Sequence, residues 1–349
     1  MKVSPLPFFI VALSAVSPAC KKASPERELD TLSLSMKKKI AKELKAWEEA
    51  SRALVDAAPT PADRGWDDDK DREALEEMKR AWFEARRSYE LIEGAIAPTF
   101  PESDAATDSR YDDFLSQIGP QGDPDPFDDE GIVGMHAIER ILWAKEIPEE
   151  VIRFERGLPG YRPARYPETP EEALAFKEKL ASRLVRDIQG LRAQFEPLIL
   201  DPAFVYQGLI DLAMEQTEKV DRAATGQEES RYAQATMRDL RSNYEGCLKA
   251  YRVFQPKLRQ KKGGAELDAR VLAAFARLEA AYSKIKGDSI PRPPMNWSAI
   301  SPNVAHRETP FGELYFEVKR ESDPAEAGSL VSELSQVARV LELRGVIVR

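Results

Sequence analysis

Cysteine is almost missing from this chain. Cys20 and Cys247 are its only two in 349 residues, too few for a disulfide-stapled fold or a cysteine metal cluster. Histidine is equally scarce, with His136 and His306 alone. The helical signature of zinc peptidases needs two histidines one turn apart beside a glutamate, and no such pair exists. A Gly-rich phosphate loop, a nucleophile elbow and a Cys/His dyad are missing too. Positive charge is in deficit: 51 Lys and Arg face 60 Asp and Glu, a net charge of −9. Phosphate backbones need a basic face, so nucleic acid is excluded as a partner, whereas a cation ligand suits the balance. Past the first twenty residues, no apolar run is long enough to span a bilayer.

Those first residues form a distinct segment. Lys2 precedes an apolar run from Pro7 to Val16, and Ser17-Pro18-Ala19 supplies small residues directly before Cys20. This reads as an export signal over 1–19. A cysteine at the first mature position resembles a bacterial lipoprotein, in which that thiol is acylated, so Cys20 is the candidate lipidation site. Plain secretion with cleavage after Ala19 is the alternative. With Cys20 lipidated, Cys247 has no partner for a disulfide.

What the chain does have is helical periodicity. Ile40, Leu44, Trp47 and Leu54 mark one face of residues 29–57. Over 70–97 the stripe is Leu75, Met78, Trp82, Ala85, Tyr89, Ile92 and Ile96. Comparable stripes run through 171–196 and 265–286, and three- and four-residue spacings of this kind predict amphipathic helices. Further helices are expected at 129–145, 202–223 and 228–256. Breaks fall at Pro59 and Pro61, in the Gly-, Pro- and Asp-rich stretch 119–126, in the linker 157–170 and at Gly263-Gly264. Residues 287–312, with five prolines, predict an irregular arm, followed by a short strand at 313–318 and a last helix at 325–343. The fold class is therefore all-α, with two consecutive antiparallel helical bundles. The first is expected over 20–157 and the second over 170–286, with an arm over 287–349.

Chemistry concentrates in the first half. Three residues separate His136 from Glu139, which sets them on adjacent turns of one helical face. On a helical wheel, Ile132, Met135, Ile138, Leu142 and Trp143 share an apolar arc. Glu139 lies inside that arc and His136 at its edge. A carboxylate on a buried face is costly unless paired or bound to a metal. Glu90 and Glu93 form a second carboxylate pair, at the margin of the 70–97 stripe, with Arg86 one turn before Glu90. Helical proteins assemble histidine–carboxylate metal sites in such bundle cores. Plainer readings stand beside this one. Arg86 and Glu90 suit a surface salt bridge, His136 a hydrogen-bonded core position, and Glu139 a pairing with an arginine from the other half. The acidic stretch 123–130 lacks calcium-loop spacing and reads as a solvated loop entering a helix N-terminus.

Gly134-x-His136-x-x-Glu139 resembles the signature of the imelysin-like family. The stretch from Trp82 to Glu93 looks like that family's first-bundle motif, and that from Asp104 to Asp113 like its following loop. Gly226-Gln227-Glu228-Glu229-Ser230-Arg231-Tyr232, with Asp239-Leu240 and Asn243-Tyr244-Glu245-Gly246, is similar to a second-half motif typical of the periplasmic iron-uptake component of the Efe system. The resemblance spans roughly residues 30–285. It implies two helical bundles, a periplasmic or lipid-anchored location, and a metal site in the first bundle. Its ligand candidates by position are Glu90, Glu93, His136, Glu139 and Asp108, with Asp112 as the alternative to Asp108 in that loop. A histidine is common in the second-half motif where this chain has Gln234, so a second metal site is not carried over.

The leading expectation is an exported, lipid-anchored binding protein that captures iron at the periplasm or cell surface and hands it to an iron permease. One imidazole and several carboxylates make a mainly oxygen shell, which favours iron, ferrous or ferric, over copper(I) and keeps zinc as an alternative. Two other function classes remain. A metallopeptidase would use Glu139 as a base. A polysaccharide-binding lipoprotein would need a long groove lined by aromatics such as Trp66 or Trp297.

Overall fold

The computed structural model describes residues 25–301 and 303–347, with side chains from residue 31 onward. The export signal expected over 1–19 and Cys20 lie outside the described residues. Every regular element among the described residues is helical, and no described helix is long and apolar enough to cross a membrane.

The first group of helices is organised around α1 (Pro25–Ala57) and α2 (Arg72–Glu90), which pack along one another. Their predicted stripes are their contact surfaces: Ile40, Leu44, Trp47 and Leu54 meet Leu75, Met78, Trp82 and Tyr89, all buried. The Trp47 and Tyr89 rings lie 5.1 Å apart. At the end of α2 the chain breaks at Leu91 and Ile92, and the one-turn α3 (Glu93–Ile96) follows. Then come α4 (Pro101–Asp108), α5 (Tyr111–Ile118), α6 (Gly134–Leu142) and α7 (Glu149–Arg156). After the 157–170 linker, α8 (Pro170–Ala175) passes through a wide turn over Phe176–Ala181 into α9 (Ser182–Phe195). Helix α9 lies along α1 and also touches α4 and α6.

The second group contains α10 (Pro202–Asp221), α11 (Thr236–Arg259), α12 (Gly264–Lys284), α13 (Pro310–Ser322) and α14 (Leu330–Val340). The two groups touch most closely where α10 crosses α3. A Cβ on Gly94 would sit 2.7 Å from the carbonyl oxygen of Gly208, and one on Gly208 only 1.6 Å from that of Gly94. Glycine at both positions lets the backbones meet.

The strand expected at 313–318 is not formed; those residues belong to α13. The Thr309 hydroxyl accepts from the N–H of Gly312 at 3.0 Å, and Pro310 occupies the first helical position, where a missing N–H costs nothing. Phe311, Leu314, Tyr315 and Val318 are then buried at helical spacing against α10 and α12. The β-prone Tyr-Phe-Glu-Val composition yields to the cap and to packing. Residues 287–301 are irregular, as expected of the arm, and a single tight turn over Val304–Glu308 follows.

Trp66 and Trp297 both pack against other side chains. Trp66 is buried and donates to the carbonyl of Pro59 at 2.9 Å. Trp297 donates to Asp221 at 2.8 Å and packs on Phe311 and Tyr315 at 4.8 and 4.7 Å.

Candidate metal centre

The site begins with a glycine. Gly134 opens α6 with φ of +86°, and a Cβ there would come within 2.7 Å of the Thr107 carbonyl oxygen and 2.9 Å of that of Ala106. Only glycine lets α6 start against the end of α4 in this left-handed conformation, and that contact sets His136 beside Asp108. The Trp82 indole donates to the Met135 carbonyl at 2.9 Å, tying α6 to α2.

His136 is held by one ring nitrogen and left open at the other. Its Nδ1 lies 2.8 Å from Glu139 Oε2. The other oxygen of Glu139 accepts the N–H groups of Tyr232 (3.0 Å) and Ala233 (2.9 Å), so the loop before α11 is fastened to α6. His136 Nε2 is buried without a hydrogen-bond partner and sits 3.5 Å from Asp108 Oδ1. The same loop carries Glu229. One donor atom from each of Asp108, His136 and Glu229 lies within 4.8 Å of the others, a spacing that one ion can bridge. A histidine oriented by a carboxylate through its far nitrogen is the usual support for a metal ligand.

Around this trio lies an excess of acid. Arg86, 1% exposed, faces four carboxylates: Asp108, Glu90 at 2.5 Å, Glu229 at 3.6 Å and Asp239 at 3.5 Å. Lys219 is also buried and contacts Glu93 at 2.9 Å, Glu229 at 3.7 Å and Glu90 at 3.8 Å. Asn243 donates to Glu90 at 2.5 Å and to Glu93 at 2.8 Å, and is itself held by Gln216 at 3.1 Å. Even so, Arg86 Nε and Nη2 and Glu90 Oε1 lack well-aligned hydrogen bonds.

This crowding separates the carboxyl groups into two kinds. Burial drives the Glu90 carboxyl well above the usual range, and Arg86 and Lys219 do not offset it. Burial and the charge of Asp108 push Asp104 up to about 7, and burial raises Asp239 to about 6. Glu229 goes the other way: burial opposes its charge, but Lys219 and Arg86 outweigh it and hold the carboxyl at about 2. Asp108 is likewise lowered, because Arg86 and His136 overcome burial. The two carboxylates facing His136 Nε2 are thus the ones whose charged form is favoured. For His136, burial and Arg86 oppose the proton, yet Asp108 and Glu139 raise its pKa to about 9.

A cavity of about 320 Å³ leads to the trio. Asp104, Asp108, Arg110, Glu215, Lys219 and Glu229 are among its walls. Asp108 and Glu229 are 14% and 13% exposed, His136 only 1%. Asp108 and Glu229 therefore line the cavity, with the imidazole buried behind them.

All five ligand candidates from the sequence fall in this neighbourhood, in different roles. Asp108 and His136 present donor atoms to a common point, Asp108 while also accepting from Arg86. Glu139 is turned toward His136 Nδ1 and the 232–233 backbone, while Glu90 and Glu93 are engaged by Arg86, Lys219 and Asn243. Asp112 faces away, accepting from Arg231 at 2.7 Å. Arg86 and Glu90 pair as expected from their spacing, but in the interior. Glu229, Lys219, Asp104 and Asp239 were not among the candidates. Glu229 lies inside the Gly226–Tyr232 motif, and that was its only sequence signal. Gln234, in place of the common histidine, donates to Glu228 at 2.9 Å and to the Arg231 carbonyl at 2.8 Å.

Fold and centre together define an all-α, two-bundle protein built around an acid-rich interior cavity. The chain belongs to the imelysin family, whose family model matches residues 33–309. An Efem/EfeO family lipoprotein of Staphylococcus aureus (strain NCTC 8325 / PS 47) is 35% identical over 188 residues, 54% of this chain and 52% of that protein. One from Staphylococcus haemolyticus (strain JCSC1435) is 24% identical over 213 residues, 61% of this chain and 60% of that protein. The chain thus spans between about half and three fifths of the length of these curated relatives. A crystal structure of an imelysin-like protein from Psychrobacter arcticum 273-4 shares the fold, with a TM-score of 0.60, 12% identity, and coverage of 93% of this chain and 98% of that one.

Proposed function

We propose that this protein is an exported, lipid-anchored iron-binding protein that captures its cargo in the cavity above His136. Asp108, His136 and Glu229 are the direct donors. Glu139 orients the imidazole, and Glu90 and Glu93 hold the buried cations Arg86 and Lys219 in place. The observation that carries this reading is the buried Nε2 of His136, which has no well-aligned hydrogen bond and faces two carboxylates whose ionised form is favoured. One nitrogen and two or more oxygens suit a hard or borderline ion, hence iron before copper(I), with zinc as the competitor. The naming of the staphylococcal relatives as Efem/EfeO family lipoproteins supports a surface or periplasmic location, a Cys20 anchor and an iron permease as the receiving partner.

Elemental analysis of protein purified without chelator, followed by ferrous and ferric titration, tests the reading. The expected result is one ion per chain, lost in His136→Ala/Glu229→Gln. Full iron affinity in that variant would overturn the ligand assignment. Since His136 keeps its proton up to about pH 9 in the empty site, binding must expel that proton. Affinity is therefore expected to rise with pH toward 9, with about one proton released from the imidazole per ion.

A further inference from the structure

A second cavity, of about 170 Å³, lies between α1, α3, α10 and α11 and shares no wall residue with the one above His136. Its interior is aliphatic, formed by Ile40 on α1, Leu91 beside α3, Leu209 and Leu212 on α10, and Val253 on α11. Its rim has the opposite character to the rest of the protein. Lys39 and Lys42 on α1 and Lys249 on α11 stand at the edge, and Glu43 is the only carboxylate among the wall residues. Lys42 approaches Glu43 at 3.3 Å, and Lys249 meets Glu245 at 2.8 Å. Lys39 is exposed and has no ion pair among the described residues. With Glu43 and Glu245 counted, the rim keeps one amine in surplus on a chain of net charge −9.

We infer that this cavity is a binding site for an amphiphilic monocarboxylate, with a medium-length acyl chain inside and the carboxylate at the lysine rim. An aliphatic cavity gives water too few polar partners to fill it, so an alkyl chain is the occupant its walls favour. The amines then select a negative head over a neutral one. The inference does not depend on the metal centre.

Calorimetric titration of the full chain with saturated carboxylates from hexanoate to tetradecanoate, at low salt, tests it. Each added methylene is expected to tighten binding about fourfold, corresponding to ~0.8 kcal/mol per buried CH₂, until the cavity is full and the gain stops. The alcohol matching the best acid should bind several-fold more weakly. Lys39→Gln/Lys249→Gln should bring the acid to the level of the alcohol, and Ala250→Phe, which fills the cavity from α11, should abolish both at unchanged helical circular dichroism. No saturable binding at any chain length would overturn the site. So would affinity that climbs with length without a plateau, the mark of surface adsorption. Equal affinity of acid and alcohol for the unmodified protein would overturn the lysine-rim assignment. The series on the unmodified protein decides the matter even where a variant fails to fold.

Discussion

Two groups of buried carboxylates in this protein are handled in opposite ways. In the C-terminal helices each acid has its own base. Glu321 accepts from Arg277 at 2.7 and 3.0 Å and from the N–H of Leu330 at 2.9 Å. Glu333 accepts from Arg270 at 3.0 Å, and Asp268 from Tyr251, Gln255 and Arg259 at 2.6 to 2.8 Å. Around His136, by contrast, Glu90, Glu93, Asp108, Glu229 and Asp239 share Arg86 and Lys219, and buried donor and acceptor atoms go unmatched. The first arrangement is finished within the chain. The second shares too few bases among its acids, which is the shortage the proposed cation would meet. Burial of an acid is therefore not what marks the functional centre; a shortage of partners is.

Substitutions can break this contrast, and the largest effect belongs to the unfinished centre. Asp108→Asn is expected to weaken iron binding at least 100-fold, or about 2.7 kcal/mol, while leaving the melting temperature of the metal-free protein within a few degrees. Titration and calorimetry on the same sample check both halves of that statement. Glu321→Ala should do the reverse. It leaves Arg277 and the Leu330 N–H short of a partner and is expected to cost about 2 kcal/mol in denaturant unfolding, with metal affinity unchanged. A large loss of iron binding in Glu321→Ala would erase the distinction between the two groups.

The two kinds of carboxylate also respond oppositely to pH. For Glu48, on α1, burial raises the pKa, but Gln189, Arg52 and Arg192 outweigh it and hold the group at about 2. Its folded-state pKa lies below the unfolded value, so its stabilisation is present above about pH 4.5 and is lost as pH falls toward 2. Asp104, raised to about 7, keeps its proton in the folded state after the unfolded chain has lost it. Its contribution to metal-free stability is fully present below about pH 4 and declines as pH rises to 7. Thermal melts from pH 2 to 8 should show Glu48→Gln flattening the acid limb and Asp104→Asn flattening the limb between 4 and 7. The smallest effect is expected from Glu90→Gln. Burial raises that carboxyl well above the usual range and favours its neutral form, so the amide should shift metal-free stability by no more than about 0.5 kcal/mol. A drop of several kcal/mol would show that Glu90 is ionised against Arg86.

Much of this was legible in the residues. The stripes of 29–57 and 70–97 gave α1 and α2, because a helix that buries one face must repeat its apolar side chains every three or four positions. The His136–Glu139 spacing pointed to a polar pair on a buried face, and Glu139 proved to need partners, as its place in an apolar arc required. Glu229 could not be found that way. It sits in a loop without periodicity, 93 residues from His136, and reaches the centre because Glu139 captures the neighbouring N–H groups of Tyr232 and Ala233. Lys219 and Asp239 were hidden for a similar reason, since a helical wheel shows which face a residue occupies but not what that face meets across a bundle. At 313–318 local composition misled, because the cap at Thr309 and the packing of α13 outweighed β-propensity.

The fastening of Glu139 to the 232–233 backbone has a consequence for how the protein matures. The three donors lie on segments separated by about 120 residues of chain, and nothing local brings them together. Closing so long a loop is entropically unfavourable until the intervening helices have packed. A chain that is still folding therefore offers an ion only isolated carboxylates and a lone imidazole. If the centre holds an ion as proposed, that capacity arrives in one step with the native structure, and occupancy of the centre would double as a reporter of completed folding.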